Sequence, residues 1–440
     1  MAQGLHFGRC CVSVTDGDPA SATSRRIDLK SNFRAVGEVI GTLALRAGPG
    51  LINLAALLMV AHRLSTTDYG LYSTVVATGG FVASVTFGIF YSPIISQYPL
   101  LATPEARGSY LGAAVIAAGA VSGLVFLVGG LALALLGLEP VLIAVVLVAG
   151  AHALLQEFAR ARLQVRAYVA SDFIQACGFL GALLAFEHLS YTGAAALFSL
   201  SYVPAILFSA LVIFRGATLT FAISDLRRIS RPGKWLVLST LAENLLFLGS
   251  RYVLLAFGAT SILGTFSIAL DLAQRSVGFV INATSFLYQP KAFAALAKSG
   301  DEAFRVVILR GGLIAVALGA LAIGVVAAIA SWSFTRSALP AGFEFWAFAV
   351  LAGAVIINRL KKLILDPFAM RDGRTRLLMV CTVAGSGIGL ASVAGGLHVG
   401  WTFAAPLAYT LGYIATAVLT AIFLKNSLLS SDFAERGSRF

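Results

Sequence analysis

The chain has 440 residues, of which 58% are apolar and only 12% charged, with a mean hydropathy of +0.88. Soluble domains carry about 25% charged residues, and no water-facing surface can absorb this much apolar character, so the composition excludes a soluble enzyme and points to an all-α polytopic membrane protein. The net charge of +12, from 32 Lys and Arg against 20 Asp and Glu, would suggest nucleic acid in a soluble protein; in a membrane protein the same excess sets topology and predicts no nucleic-acid partner.

Residues 1–34 form a polar tail with no apolar run of signal-peptide length. Apolar windows follow near 36–62, 71–95, 110–136, 140–159, 167–187, 192–214, 235–257, 262–288, 307–330, 343–365, 376–396 and 402–424. Each span needs about 20 to 25 residues, so about twelve transmembrane helices use most of the chain and leave only short loops. With sides alternating, 27 of the 32 basic residues fall on the side of both termini, two (Arg63 and Arg336) on the other, and three (Arg46, Arg251 and Arg275) deep inside spans. This asymmetry predicts cytoplasmic termini.

Two short similarities suggest a duplication. Gly70-Leu71-Tyr72-Ser73, at the start of span 2, matches Gly264-Thr265-Phe266-Ser267 at the start of span 8, an offset of 194. Segment 181–215 aligns without gaps on 391–425, pairing His188 with His398 and Arg215 with Lys425. The expected organisation is a cytoplasmic tail (1–34), a six-helix lobe (35–215), a basic linker (216–234), a second six-helix lobe (235–425) and a short cytoplasmic tail (426–440). The lobes would be related by a pseudo-twofold axis around a central cavity.

Ionisable groups at bilayer depth are costly, so they normally face a cavity or a partner. Span 1 carries Arg46 and then Gly48-Pro49-Gly50, which should interrupt the helix, with Asn53 beyond. Span 8 carries Asp271, Gln274, Arg275 and Asn282, spaced one to two turns apart in a single polar stripe, and span 7 carries Glu243, Asn244 and Arg251. Asp271 with Arg275, and Glu243 with Arg251, are either neutralising pairs that pin helix packing or cavity groups. Asp172 in span 5 has the same two readings. Glu157 with Arg160 reads as a solvated pair at a helix end, while Arg359, Lys362 and Asp366 read as snorkelling anchors or as the inner rim of the cavity. Gly385 and Gly389 make a small-residue packing face.

Nothing in the chain suggests catalysis, a metal or a cofactor. There is no GxxxxGK[ST] phosphate loop, no HExxH and no nucleophile elbow, and the four cysteines and five histidines are scattered. The longest external loop, about 331–342, is too short for a membrane glycosyltransferase, so a transporter remains.

The segment Arg63-Leu64-Ser65-Thr66-Thr67-Asp68-Tyr69-Gly70-Leu71-Tyr72-Ser73 resembles the signature of polysaccharide flippases of the multidrug/oligosaccharidyl-lipid/polysaccharide exporter superfamily. Leu263-Gly264-Thr265-Phe266-Ser267 and the turn Met370-Arg371-Asp372-Gly373-Arg374 are similar to the same family. The resemblance covers about 36–425. It implies a bacterial inner-membrane flippase that moves undecaprenyl-pyrophosphate-linked oligosaccharide units to the outer leaflet for exopolysaccharide, O-antigen or capsule assembly. The implied partners are that lipid-linked cargo, membrane lipids and the polymerase or export machinery. It also implies that Arg46 and Arg275, and more loosely Arg251, face a cationic cavity that receives the pyrophosphate; Asn53 and Asn282, on the same helix faces as Arg46 and Arg275, are the further substrate-binding candidates. The alternatives are a cation-coupled multidrug or metabolite antiporter of the same superfamily, with Asp271, Glu243 or Asp172 binding the coupling ion, and a non-transporting scaffold of a polysaccharide synthesis complex.

Overall fold

The computed structural model describes residues 48–425 apart from 99–100, 102, 137–138, 163, 216–219, 221, 332–342, 373 and 402. Arg46 and both tails lie outside the described residues. The architecture is entirely helical among them: α1 (48–63), α2 (Thr66–Gln97), α3 (Pro104–Leu136), α4 (Val141–Ala161), α5 (Val165–Ala185) and α6 (Tyr191–Phe214) form one lobe. The second lobe comprises α7 (Ile223–Ala256), α8 (Thr260–Ala273), α9 (Phe279–Ser331), α10 (Phe345–Leu360), α11 (Asp366–Arg371), α12 (Thr375–His398) and α13 (Ala404–Phe423).

One π-helical turn, Gln274–Gly278, joins α8 to α9, and another, Lys361–Leu365, joins α10 to α11. Gly300, at φ 78°, breaks α9 into two rods; glycine reaches this left-handed region without the usual Cβ penalty. The described residues thus make twelve rods, six in each lobe. Where the apolar pattern predicts a basic loop up to residue 234, the helix already begins at Ile223.

Among the described residues, eight helices are long and apolar enough to cross a membrane: α2 to α6, the second rod of α9, α12 and α13. The remaining rods (α1, α7, α8 and α10) are short as described, charged, or interrupted by a π turn, and all four contribute residues to the interior chambers. The outer surface is apolar, with Leu127 70% and Leu313 73% exposed. A surface of this kind is stable against lipid rather than water. Among the small-residue contacts, a Cβ built on Gly385 would stand 2.1 Å from the Thr416 hydroxyl, and one on Gly389 would stand 3.1 Å from the Gly412 Cα. Glycine is what lets α12 and α13 touch backbone to backbone.

The two lobes meet where α2 and α8 begin, and the repeated segments are the contact. A Cβ on Gly70 would lie 3.1 Å from the Gly264 nitrogen, and one on Gly264 only 2.1 Å from the Thr66 carbonyl oxygen. Ser65 caps α2, its hydroxyl accepting from the Asp68 amide at 3.1 Å. Arg63 donates to the carbonyls of Leu183 and Phe186, fastening the α1–α2 turn to the end of α5. The motif is therefore a cap, a clamp and a glycine contact in one segment.

Candidate functional site

Two polar chambers occupy the middle of the bundle. The first, about 400 Å³, lies between the lobes. Leu57, Tyr72, Ser73, Val76 and Ala77 line it from α1 and α2. Glu243, Asn244 and Phe247 face it from α7, Asp271, Gln274 and Arg275 from α8 and its π turn, and Asn358, Arg359, Lys362 and Tyr413 from α10 to α13. The second, about 440 Å³, is set mainly in the first lobe. It is lined by Pro49, Gly50 and Asn53 of α1, His152, Gln156 and Glu157 of α4, Tyr168, Asp172 and Gln175 of α5, and Tyr202 of α6. Gln274, Arg275, Phe279 and Asn282 close it from the second lobe. Gln274 and Arg275 belong to both chambers, so the π turn is their shared wall. π turns widen a helix locally and recur at functional sites.

The ion pairs differ from those helical spacing suggests. Arg251 pairs with Asp271 at 2.9 Å, not Arg275 with Asp271. Glu243 pairs with Lys362 at 2.6 Å and accepts from Asn358 at 2.9 Å, not with Arg251. The spacing argument sees only one helix, whereas α7 packs against α8 and carries Arg251 directly onto Asp271. Arg251 has no exposed surface, lies over the Phe247 ring at 4.3 Å, and lines neither chamber. Its guanidinium donates to the Ser73 hydroxyl at 3.0 Å and to that of Ser267 at 3.4 Å. These are the two serines related by the 194-residue repeat, so one arginine is gripped by equivalent residues of both lobes. Asp271 also accepts from Ser73 at 2.5 Å and Tyr69 at 3.1 Å, both on α2.

With Asp271 claimed by Arg251, Arg275 has no hydrogen bond or ion pair among the described residues. Arg359 donates to Gln274 at 3.1 Å, and its buried Nε has no partner there. Arg359 and Lys362 therefore stand in the chamber wall, not as anchors to the membrane surface. The polar stripe on span 8 divides: Asp271 faces the interlobe chamber, Asn282 the first-lobe chamber, and Arg275 both.

In the first-lobe chamber, Asn53 donates to Gln175 at 3.3 Å and Gln175 to Ser201 at 3.1 Å. Gln156 donates to Asp172 at 3.0 Å, and Arg160 neutralises Glu157 at 2.8 Å. His152 contacts the Ser171 hydroxyl at 3.1 Å. Sequence reasoning leaves His152, Gln156, Gln175 and Tyr202 without a role, because isolated polar residues on apolar helices give no spacing signal until the helices are packed. No group of three or more His, Cys, Asp or Glu side chains that could hold a metal ion occurs among the described residues.

Apolar rods in two lobes around polar chambers define a multi-pass membrane protein. Its fold is that of multidrug resistance MATE family transporters of the MOP superfamily. The outward-facing structure of one such transporter superimposes with a TM-score of 0.62 at 13% identity, over 89% of this chain and 95% of that one. An inward-facing structure of such a transporter gives 0.56 at 14% identity, over 88% and 94%. A MOP superfamily transporter from Pyrococcus furiosus, described as having a binding pocket of reverse polarity that suggests a different function, gives 0.54 at 14% identity, over 89% and 95%. No protein-family model and no curated protein matches the sequence. At these identities the likeness is one of fold.

Proposed function

We propose that this protein is an alternating-access transporter whose cargo carries an anionic group, in the class of polyprenyl-pyrophosphate-linked oligosaccharides. The observation that supports it is the convergence of Arg275, Arg359 and Lys362 on one chamber whose acidic groups are already matched. Counting Arg251 behind the wall, four cationic groups face Glu243 and Asp271. The excess of two positive charges suits a pyrophosphate of about two negative charges, and guanidinium groups bind such oxygens bidentately. The prenyl tail stays in lipid while the head group crosses. The basic-residue asymmetry supports cytoplasmic termini and an inner-membrane location.

The test is flipping of a fluorescent polyprenyl-pyrophosphate oligosaccharide in proteoliposomes. Arg275→Ala and Arg359→Ala should each lower the rate at least about tenfold, the scale of one charge-assisted hydrogen bond or more. Wild-type rates in both variants would remove the anionic-cargo reading.

A second reading, cation-coupled antiport of organic cations, is favoured by the multidrug transporters that share the fold and by Asp172 and Glu157 in the first-lobe chamber. Against it stands Arg275 in the wall of both chambers. Uptake of a lipophilic cation driven by a proton or Na⁺ gradient in the same proteoliposomes distinguishes the two.

A further inference from the structure

The two chambers share a wall yet differ in chemistry. The interlobe chamber is charged. The first-lobe chamber presents amides, phenols and two carboxylates, with Glu157 neutralised by Arg160 and Asp172 hydrogen-bonded by Gln156. With Arg275 in its wall, it offers no strong field to a free anion or to an organic cation. It does offer donors and acceptors side by side, as a sugar hydroxyl requires, since each hydroxyl brings one donor and two acceptor positions.

Most of the polar groups there have partners, but besides Arg275 two do not. The Asn282 amide and the Tyr202 hydroxyl line the chamber, are half-buried, and make no hydrogen bond among the described residues. The Tyr202 ring is fixed edge-on against His152 at 5.0 Å and Phe198 at 5.2 Å, so its hydroxyl is preorganised. Phe279 adds a second aromatic surface for the apolar faces of sugar rings. Both volumes, about 400 and 440 Å³, are in the usual range for small-molecule sites, about 300–1,000 Å³.

We infer that the first-lobe chamber is a carbohydrate subsite: Asn282 and Tyr202 bind neutral sugar hydroxyls of the cargo while Arg359 in the interlobe chamber and Arg275 at the junction hold its phosphate. This rests on the anionic-cargo reading and adds the location and chemistry of sugar recognition.

The experiment measures binding to the purified full-length protein in lipid nanodiscs. One probe is a polyprenyl pyrophosphate without sugar; the other is the same lipid bearing a neutral oligosaccharide. Wild type should bind the glycosylated probe more tightly. Tyr202→Phe, which keeps the ring packing, combined with Asn282→Ala should weaken the glycosylated probe about tenfold and change the sugar-free probe by less than about twofold, as two neutral hydrogen bonds predict. Arg359→Gln should weaken both probes by the same factor. If Arg359→Gln acts as expected but the double variant weakens both probes equally or neither, the carbohydrate inference falls and the phosphate reading stands. If Arg359→Gln changes neither probe, the anionic-cargo reading falls and takes the inference with it.

Discussion

Ser73 is a small side chain that ties the two lobes together at a buried ion pair. Its hydroxyl donates to Asp271 at 2.5 Å and accepts from Arg251 at 3.0 Å, so one group on α2 touches both members of a buried ion pair in the opposite lobe. A hydrogen bond to a charged partner contributes about 1.5–3 kcal/mol. In the alternating-access reading proposed above, Ser73→Ala removes it only from the state in which the lobes are closed at this end, because Arg251 and Asp271 both belong to the second lobe and would stay paired if α2 moved away. The expected shift in the closed-to-open ratio is about 10- to 100-fold, at 1.4 kcal/mol per factor of ten.

Spin labels at Thr67→Cys and Ser261→Cys, both exposed at the first turns of α2 and α8, read the separation in a chain whose four native cysteines have been replaced. Ser73→Ala should add a longer-distance population, and Tyr69→Phe in the same chain should enlarge it. Ser84→Ala, whose hydroxyl bonds only to its own helix at Gly80, should not. Identical distance distributions in the Ser73→Ala and Ser84→Ala proteins would refute the idea that this contact holds the lobes together.

Gly264→Val should open the same spin-label pair, since a Cβ would stand 2.1 Å from the Thr66 carbonyl oxygen and backbone does not yield; an unchanged distance would contradict this. Gly385→Val should lower the unfolding temperature in detergent by the cost of overpacking, about 1–3 kcal/mol, whereas Gly387→Ala, with open space around it, should leave it unchanged or slightly raised. Glu243→Ala leaves Lys362 without its carboxylate. Loss of a buried partner costs about 3–5 kcal/mol, and the 34% exposure of the Lys362 side chain reduces the expected figure to about 1–3 kcal/mol. Thermal unfolding should show that loss, and Glu243→Gln with Lys362→Met should recover most of it. An unchanged unfolding temperature in Glu243→Ala would mean that the pair does not stabilise the fold.

The sequence by itself determined the class and the scale of the fold. Apolar content, the spacing of apolar windows and the side preference of basic residues depend on the bilayer, a solvent that acts on each segment independently, so they are readable without knowing which helices touch. The repeat was legible too, because Gly70 and Gly264 must both be small where the two lobes meet. Only the tertiary structure decided which charges pair. Helical arithmetic placed Asp271 with Arg275, but α7 brings Arg251 onto Asp271 from another helix, and the π turn at Gln274–Gly278 lies where Arg275 begins to serve both chambers. That single reassignment leaves Arg275 without a hydrogen bond or ion pair among the described residues, in the same wall as Arg359 and Lys362. The strength of an ion pair falls with distance between atoms, and across helices that distance is set by packing, which no count of residues along one chain contains.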